Sequence, residues 1–166
     1  EFNLDPVRVD HRPFRSTEEQ MRAGLQRIDA QLLGRSGRSA CIGILPTLEL
    51  ADFDHRTMTD MPRFHALRQR LQDERRDLFR IHIECEDPLS LATDDITLEG
   101  ANTSFQLHYR VSPERFADTF NAIQLVTPLV LALAANSPLV FGRRLWHESR
   151  IPLFKQSIDS RPELRV

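Results

Sequence analysis

The segment 104–138 constrains the fold of this chain most, because it joins an alternating stretch to a long apolar one. Residues 104–111 alternate strictly: the apolar set is Phe105, Leu107, Tyr109 and Val111, and the polar set is Ser104, Gln106, His108 and Arg110. This period of two predicts a strand with one apolar and one polar face. The run 113–135 then predicts an apolar helix, which Asn136-Ser137-Pro138 ends. A polar strand face supported by a helix can present a chemical site.

The run 119–142 carries no charge and is long enough to cross a membrane. It nevertheless contains polar residues and prolines, namely Asn121, Gln124, Thr127, Pro128, Asn136, Ser137 and Pro138. We therefore expect a helix buried in a protein core, with no membrane partner. Pro128 should kink this helix, because proline lacks a backbone donor and crowds the carbonyl four residues earlier.

The bulk properties are those of an ordinary globular domain. The 166 residues are enough for one domain with a real core. With 22 basic and 24 acidic residues the net charge is −2, which argues against a general nucleic-acid binder. Two cysteines without a Cys-x-x-Cys motif fit a reducing, cytoplasmic environment. The chain opens inside a pattern, so we expect a single domain over 1–166 that is a fragment of a larger catalytic domain.

The remaining elements predict an α+β fold. Strands are expected at 1–4, 40–45 and 80–85, in addition to 104–111. A capping box of Ser16 and Glu19 predicts a helix from there to about Leu33, and Pro62 starts another that runs to about Phe79. The stretch 87–100 is expected to be a loop. This order predicts a largely antiparallel sheet with helices packed on one face.

Three groups of side chains could carry chemistry, and each also has an ordinary structural explanation. Gln106 and His108 share one strand face, which suits metal binding or proton transfer but also a solvated sheet face. Acidic side chains on neighbouring strands could hold Mg²⁺ or simply be surface charge: Glu1, Glu84 and Glu86. The stretch 143–150, with three arginines, Trp146 and His147, could bind an anion or be a solvated connection.

Five stretches resemble, in order, the glutamate–cysteine ligase and carboxylate–amine ligase superfamily. They are Glu1-Phe2-Asn3-Leu4-Asp5-Pro6, Ile42-Gly43-Ile44-Leu45-Pro46, Met61-Pro62-Arg63-Phe64, Ser104-Phe105-Gln106-Leu107-His108 and Ala135-Asn136-Ser137-Pro138. Each motif alone is weak. The Asn-Ser-Pro turn at the end of an apolar helix that follows a Gln-x-His strand is moderately specific.

The resemblance implies a partial glutamine-synthetase-like fold and an ATP- and Mg²⁺-dependent joining of a carboxylate to an amine. Glutamate is the expected carboxylate, and cysteine is the family's best-known amine. By position, Glu1 and Gln106 would lie at the metal, and Arg150 and His108 would bind substrate. Arg63 would lie near the nucleotide. The catalytic residues stay unassigned, and an exposed sheet edge would favour homo-oligomers.

Two alternatives stay open at this point. The first is a non-catalytic, ligase-like domain that senses a ligand inside a larger protein. It is motivated by the absence of the family's glutamate-rich metal-binding strand from this sequence. The second is a metal-dependent hydrolase that uses His82, Glu84 and His108. No Gly-x-Gly-x-x-Gly or Walker-type loop occurs, so any use of ATP would not involve a P-loop.

Overall fold

A computed structural model describes residues 2–54, 56–74 and 78–159. The chain divides into two compact units, Glu1–Cys41 and Ile42–Val166. Each unit is built around its own set of local and long-range contacts. That both belong to one larger catalytic domain, as expected for 1–166, stays a prediction.

The first unit is a single long helix with the N-terminal segment packed along it. Helix α1 spans Pro13–Leu33, with proline in its first turn. Gly24 is its one buried residue, because the ring of Phe2 lies directly against it. A Cβ at position 24 would come within 2.1 Å of that ring. The segment is also held by a hydrogen bond of 2.8 Å from the Asp5 N–H to Gln20 Oε1.

Two predictions for this unit are wrong. Residues 2–4 are not in a strand, because the partner of this segment is a helix, which offers no ladder of backbone groups. The helix begins at Pro13 rather than at Ser16, so Ser16 and Glu19 do not form a capping box. Proline at the first helical position needs no backbone partner for its nitrogen and starts the helix earlier. Its predicted end at Leu33 is confirmed.

The second unit holds the hydrophobic core. Strand β1 (Phe79–Ile83) pairs antiparallel with strand β2 (Leu89–Thr93). Phe79, Ile81 and Ile83 are buried and Arg80 and His82 are exposed, so the strand expected at 80–85 forms with one buried face. Helix α4 (Arg150–Ser157) packs against β1. The core cluster combines these elements with the segments around them: Ile44, Ile81, Ile83, Leu89, Leu98, Ala101, Val140, Leu145 and Leu153.

The Gln156 side chain of α4 covers the free edge of β1. Its Oε1 accepts from the His82 N–H at 2.6 Å, and its Nε2 donates to the His82 carbonyl at 3.0 Å. This side-chain amide therefore replaces one residue of a neighbouring strand. Helix α2 (Pro62–Glu74) precedes β1, and its first turn contains Pro62 as predicted. It does not run to Phe79 as expected, because Phe79 begins β1 and pairs with Thr93.

A β-hairpin with a two-residue turn follows helix α3 (Phe116–Ala134). Strand β3 (Leu139–Val140) pairs with strand β4 (Arg143–Arg144), and the turn between them is Phe141-Gly142. Both turn residues have positive φ, +50° and +72°, as a type I′ turn requires. Phe141 adopts this unfavourable conformation while its ring packs edge-on against the ring of Phe53, with 5.6 Å between the two ring centroids. The hairpin directs the chain from α3 towards α4.

Two further strands were predicted where the structure has none. Residues 40–45 and 104–111 all lie in the described part of the chain, and none of them is in a strand. Alternation indicates the faces of a strand but supplies no partner, and a strand forms only where another backbone satisfies its hydrogen bonds. Conversely, the expected loop 87–100 contains β2 and most of a 3₁₀ turn, Thr97–Ala101. These pair with β1 or pack into the core.

The prediction that α3 is a core helix is also wrong. The helix has no buried residue, and Leu125 and Leu133 are 79% and 92% exposed. The amino-acid composition shows that the helix is apolar on all sides, but it does not determine which other segment, if any, packs against it. By length and composition alone, Pro113–Ala134 could also cross a membrane, although core helices pass the same test. Pro128 lies inside the helix, and the Thr127 hydroxyl bonds the Ile123 carbonyl at 2.8 Å.

The fold class α+β is confirmed, and both observed sheets are antiparallel. Each sheet has two strands within the described residues, fewer than expected, because the strands predicted at 1–4, 40–45 and 104–111 are not seen there. The glutamine-synthetase-like architecture stays a prediction.

Candidate functional site

Four separate segments of the second unit meet around the Asn-Ser-Pro turn. The Ser137 N–H donates to the His147 carbonyl at 3.0 Å, and the Ser149 N–H donates to the Ser137 carbonyl at 3.3 Å. The Gly43 N–H donates to the Asn136 carbonyl, and the Gly43 carbonyl accepts from the Thr103 N–H, both at 3.1 Å. These bonds bring together six residues that we call the Arg150 cluster: Gly43, Thr103, Asn136, Ser137, Glu148 and Arg150.

The Glu148 carboxylate is the centre of this cluster. Its Oε1 accepts from the Ser137 hydroxyl at 2.6 Å and from Arg150 Nε at 2.5 Å. Its Oε2 accepts from Arg150 Nη2 at 2.6 Å and from the Asn136 N–H at 3.4 Å. The side chain is only 9% exposed, so it is one of the few acidic groups in the core of the chain. Four donors thus compensate for the water that this carboxylate has lost.

The ionisation of the cluster follows from this geometry. The hydrogen bonds from Arg150 lower the pKa of Glu148 to about 2, against the opposing effect of burial and with further help from Ser137. The same hydrogen bonds raise the pKa of Arg150 above its ordinary value. Both groups are therefore charged at neutral pH and form a bidentate, largely buried ion pair.

The ion pair holds Arg150 in place but does not occupy all the hydrogen-bond donors of its guanidinium. A guanidinium has five N–H donors. Two go to Glu148, and a third, on Nη1, goes to the Thr103 carbonyl at 2.8 Å. One N–H on each terminal nitrogen has no acceptor among the described residues, and 24% of the side chain is exposed. Two such donors can bind the oxygens of a carboxylate or a phosphate.

The predicted residues Gln106 and His108 lie three and five residues beyond Thr103. Both are exposed, and His108 Nε2 is 3.4 Å from Gln106 Oε1, so the two polar side chains do come together. They are not on a strand face as expected, because 104–111 is not a strand. The contact between Arg150 and Thr103 connects this segment to the Arg150 cluster.

The other two predicted site residues lie elsewhere. Arg63 is exposed in the first turn of α2, with its guanidinium 4.7 Å from the centre of the Phe64 ring. Glu1 lies outside the described residues. Its neighbour Asn3 lines an open groove of about 530 Å³ between the N-terminal segment and α1. The assigned roles of all these residues stay predictions.

Metal-binding side chains are not clustered in threes among the described residues. In residues 2–54, 56–74 and 78–159, no group of three His, Cys, Asp or Glu side chains could hold a metal ion. His82 pairs with Glu84 at 2.9 Å, whereas His108 pairs with Gln106. The hydrolase alternative, which needed His82, Glu84 and His108 together, is therefore wrong. Glu1 and Gln106 remain only positional candidates for Mg²⁺.

The stretch 143–150 carries its positive charges in ion pairs. Arg143 Nη1 bonds Asp87 at 2.9 Å, and Arg144 Nη2 bonds Glu86 at 2.5 Å, both on the surface. Trp146 donates from Nε1 to the Glu84 carbonyl at 2.9 Å. Only the pair of Arg150 is buried. Arg150 was predicted from the sequence, but its contacts with four neighbours were not: Glu148, Ser137, Gly43 and Thr103. Glu148 is two residues away, whereas the other three lie on segments distant in the sequence.

Alanine at position 43 should disrupt the Arg150 cluster. A Cβ there would lie 2.6 Å from the Asn136 carbonyl oxygen and 3.0 Å from Arg150 Cζ. The first contact is with backbone, which cannot move without breaking the Asn-Ser-Pro turn. We expect Gly43→Ala to lower the free energy of unfolding by about 1–3 kcal/mol in urea denaturation, as overpacking does. Gly100→Ala is the control, since a Cβ there meets nothing within 4 Å. Equal stability of the two variants would contradict the packing described here.

The comparisons with known proteins agree with the resemblance seen in the sequence. The model of glutamate-cysteine ligase family 2 (GCS2) matches residues 10–164, which is nearly the whole chain. No curated protein and no solved structure matches the chain significantly.

Proposed function

Since the chain belongs to glutamate-cysteine ligase family 2, we propose that it is part of an ATP- and Mg²⁺-dependent ligase that joins the γ-carboxylate of glutamate to an amine. Family membership supports a ligase in general. The acyl-phosphate route, the cofactor and the roles of single residues are our proposals. The observation that carries the proposal is the state of Arg150, which is fixed by Glu148 and Thr103 with two donors still available.

In the proposed reaction an oxygen of the glutamate γ-carboxylate attacks the γ-phosphorus of ATP and releases ADP. The amine nitrogen then attacks the carbonyl carbon of the acyl phosphate. The C–O bond to phosphate breaks, phosphate leaves, and the nitrogen loses a proton. Mg²⁺ would neutralise phosphate charge in such a reaction. Its proposed ligands, Glu1 and Gln106, rest on the family resemblance alone, so we assign the chain no step that depends on it.

Arg150 is proposed to hold a carboxylate of the substrate. A guanidinium that is already oriented loses little side-chain entropy when it binds, and its planar fork suits a carboxylate. The proposal places His108 beside the substrate and Arg63 near the nucleotide, as the family resemblance implies. The contact of Arg150 with Thr103 supports a site at the start of segment 104–111.

The first test is ADP release by the full-length protein with Mg²⁺, ATP and L-glutamate, with and without a panel of amines led by cysteine. We expect turnover that depends on glutamate and is stimulated by one amine. Absence of turnover with every amine, in a protein shown to be folded, would contradict the ligase proposal.

Arg150→Lys tests the role of the arginine. Lysine keeps the charge but cannot form the planar fork. A lost charge-assisted hydrogen bond of about 1.4–3 kcal/mol corresponds to a KM for glutamate raised roughly 10- to 150-fold. The KM for ATP should change little. Arg144→Lys, in an exposed ion pair, is the matched control. An unchanged KM for glutamate in Arg150→Lys would show that this residue does not hold the substrate.

A second candidate function is a ligase-like domain that binds glutamate without catalysis. It is favoured by the absence of a three-ligand metal cluster from the described part of the chain. Calorimetric titration separates the two functions. Glutamate binding without ADP release would support the sensing domain, and turnover would exclude it.

A further inference from the structure

We propose that Glu148 and Ser137 are positioning residues that fix the guanidinium of Arg150 for an anionic group of the substrate. This inference rests on the proposed function, because it assigns how the substrate-binding arginine is oriented. Neither residue was singled out for such a role by the sequence. The proposal stands on the hydrogen bonds among three side chains and on their burial.

One edge of the Arg150 guanidinium, formed by Nε and Nη2, is fully occupied. Nε and Nη2 of Arg150 donate to the two oxygens of Glu148 at 2.5 and 2.6 Å. A bidentate pair sets the plane of the guanidinium as well as its position. Nη1 is held separately by the Thr103 carbonyl at 2.8 Å. The two remaining N–H groups therefore have a defined direction before any ligand arrives.

Glu148 is itself fixed by other residues. Each of its oxygens accepts a further hydrogen bond, Oε1 from the Ser137 hydroxyl and Oε2 from the Asn136 N–H. Its side chain is 9% exposed, whereas that of Glu86, which pairs with Arg144, is 78% exposed. An exposed pair exchanges readily with water and ions. A buried carboxylate with four donors keeps its place, so Glu148 orients Arg150 and does not compete for substrate.

Ser137 joins the turn to α4. Its side chain is buried, its hydroxyl donates to the Glu148 carboxylate, and the same oxygen accepts from the backbone N–H of Arg150 at 3.3 Å. Ser137 therefore holds the carboxylate of the ion pair directly and the arginine through its backbone. Because positioning to within about half an ångström matters for a binding group, loss of this hydroxyl should loosen Arg150 without removing its charge.

The test uses the full-length protein with Glu148→Gln and Ser137→Ala. We expect each variant to raise the KM for glutamate, at least tenfold for Glu148→Gln and a few-fold for Ser137→Ala. The KM for ATP and kcat at saturating glutamate should stay within about twofold. Glu148→Asp should recover part of the loss, since it restores the charge with a shorter side chain. Glu86→Gln, which removes an exposed Glu–Arg pair, is the matched control.

A second readout does not depend on activity. In selectively ¹⁵N-labelled protein, the Nε–H of Arg150 should exchange slowly with solvent in the wild type, and at least tenfold faster in Glu148→Gln. If the wild type releases no ADP, the proposed function fails, and this exchange rate alone decides the positioning role. If Glu148→Gln does not fold, Ser137→Ala decides it in the same way. A folded variant with unchanged Nε–H exchange and unchanged KM would overturn the proposal.

Discussion

Replacing Arg150 by alanine is expected to lower the free energy of unfolding by about 3–5 kcal/mol, the cost of leaving one member of a buried ion pair alone. The variant would leave the Glu148 carboxylate charged, 9% exposed and without its principal donor. The Ser137 hydroxyl and the Asn136 N–H cannot replace a cation. The Thr103 carbonyl would also lose its bond from Nη1. Urea denaturation monitored by circular dichroism measures the difference.

Two further variants show whether the buried charge is the cause. Arg144→Ala removes an exposed arginine from its pair with Glu86 and should change stability little. The double variant Arg150→Ala, Glu148→Gln should be more stable than Arg150→Ala alone, because the isolated charge is gone. If Arg150→Ala were as stable as Arg144→Ala, Glu148 would not be desolvated in the folded protein.

The second large effect is loss of stability in acid that depends on Glu148. Its pKa is about 2 in the folded chain and 4.5 ordinarily. Between these values the unfolded chain binds the proton and the folded chain does not, so acid favours unfolding. The contribution of this group is complete above about pH 4.5 and is lost as the pH falls towards 2. A shift of this size corresponds to about 3 kcal/mol.

Glu148→Gln isolates this contribution, because glutamine does not titrate. The stability difference between wild type and Glu148→Gln should shrink as the pH falls from about 5 to 2, measured by urea denaturation at each pH. Glu86→Gln, in an exposed ion pair, is the matched control. Glu99 acts in the opposite direction, since partial burial raises its pKa, so wild type alone would underestimate the Glu148 effect. A constant difference across this range would contradict the lowered pKa.

Helices α1, α2 and α3 were predictable from the sequence because their hydrogen bonds are local, whereas α4 was not predicted. α1, α2 and α3 all occur where the periodicity, Pro62 and the Asn-Ser-Pro turn indicated. Their ends were less accurate, as with α1, which starts three residues early at Pro13. A helix satisfies its own backbone within four residues, so its presence needs no distant partner.

The strands were predictable only where a partner followed closely. Residues 80–85 were expected as a strand, and β1 forms at Phe79–Ile83 because β2 lies a short turn away. The segment 104–111 alternates more regularly yet forms no strand within the described chain. Alternation states which side chains would share a face. It carries no information about whether another backbone is available.

The candidate site shows the same difference between features that the sequence predicts and features that depend on distant segments. Arg150 and the Asn-Ser-Pro turn were identified from the sequence, as was the family, because these are contiguous motifs in a fixed order. The partners of Arg150 were not, since Thr103 lies 47 residues earlier and no spacing rule relates them. Likewise, the need for glycine at position 43 follows only from its closeness to Asn136 and Arg150.

The sequence by itself therefore determined the α+β class, the positions of α1, α2 and α3, and membership of glutamate-cysteine ligase family 2. Only the tertiary structure decided that Arg150 is paired with Glu148, and that α3 is exposed while β1 is buried. Local patterns set backbone conformation through bonds between near neighbours. Burial, ion pairing and pKa depend on which distant segments displace water from a group, and that is a property of the folded chain.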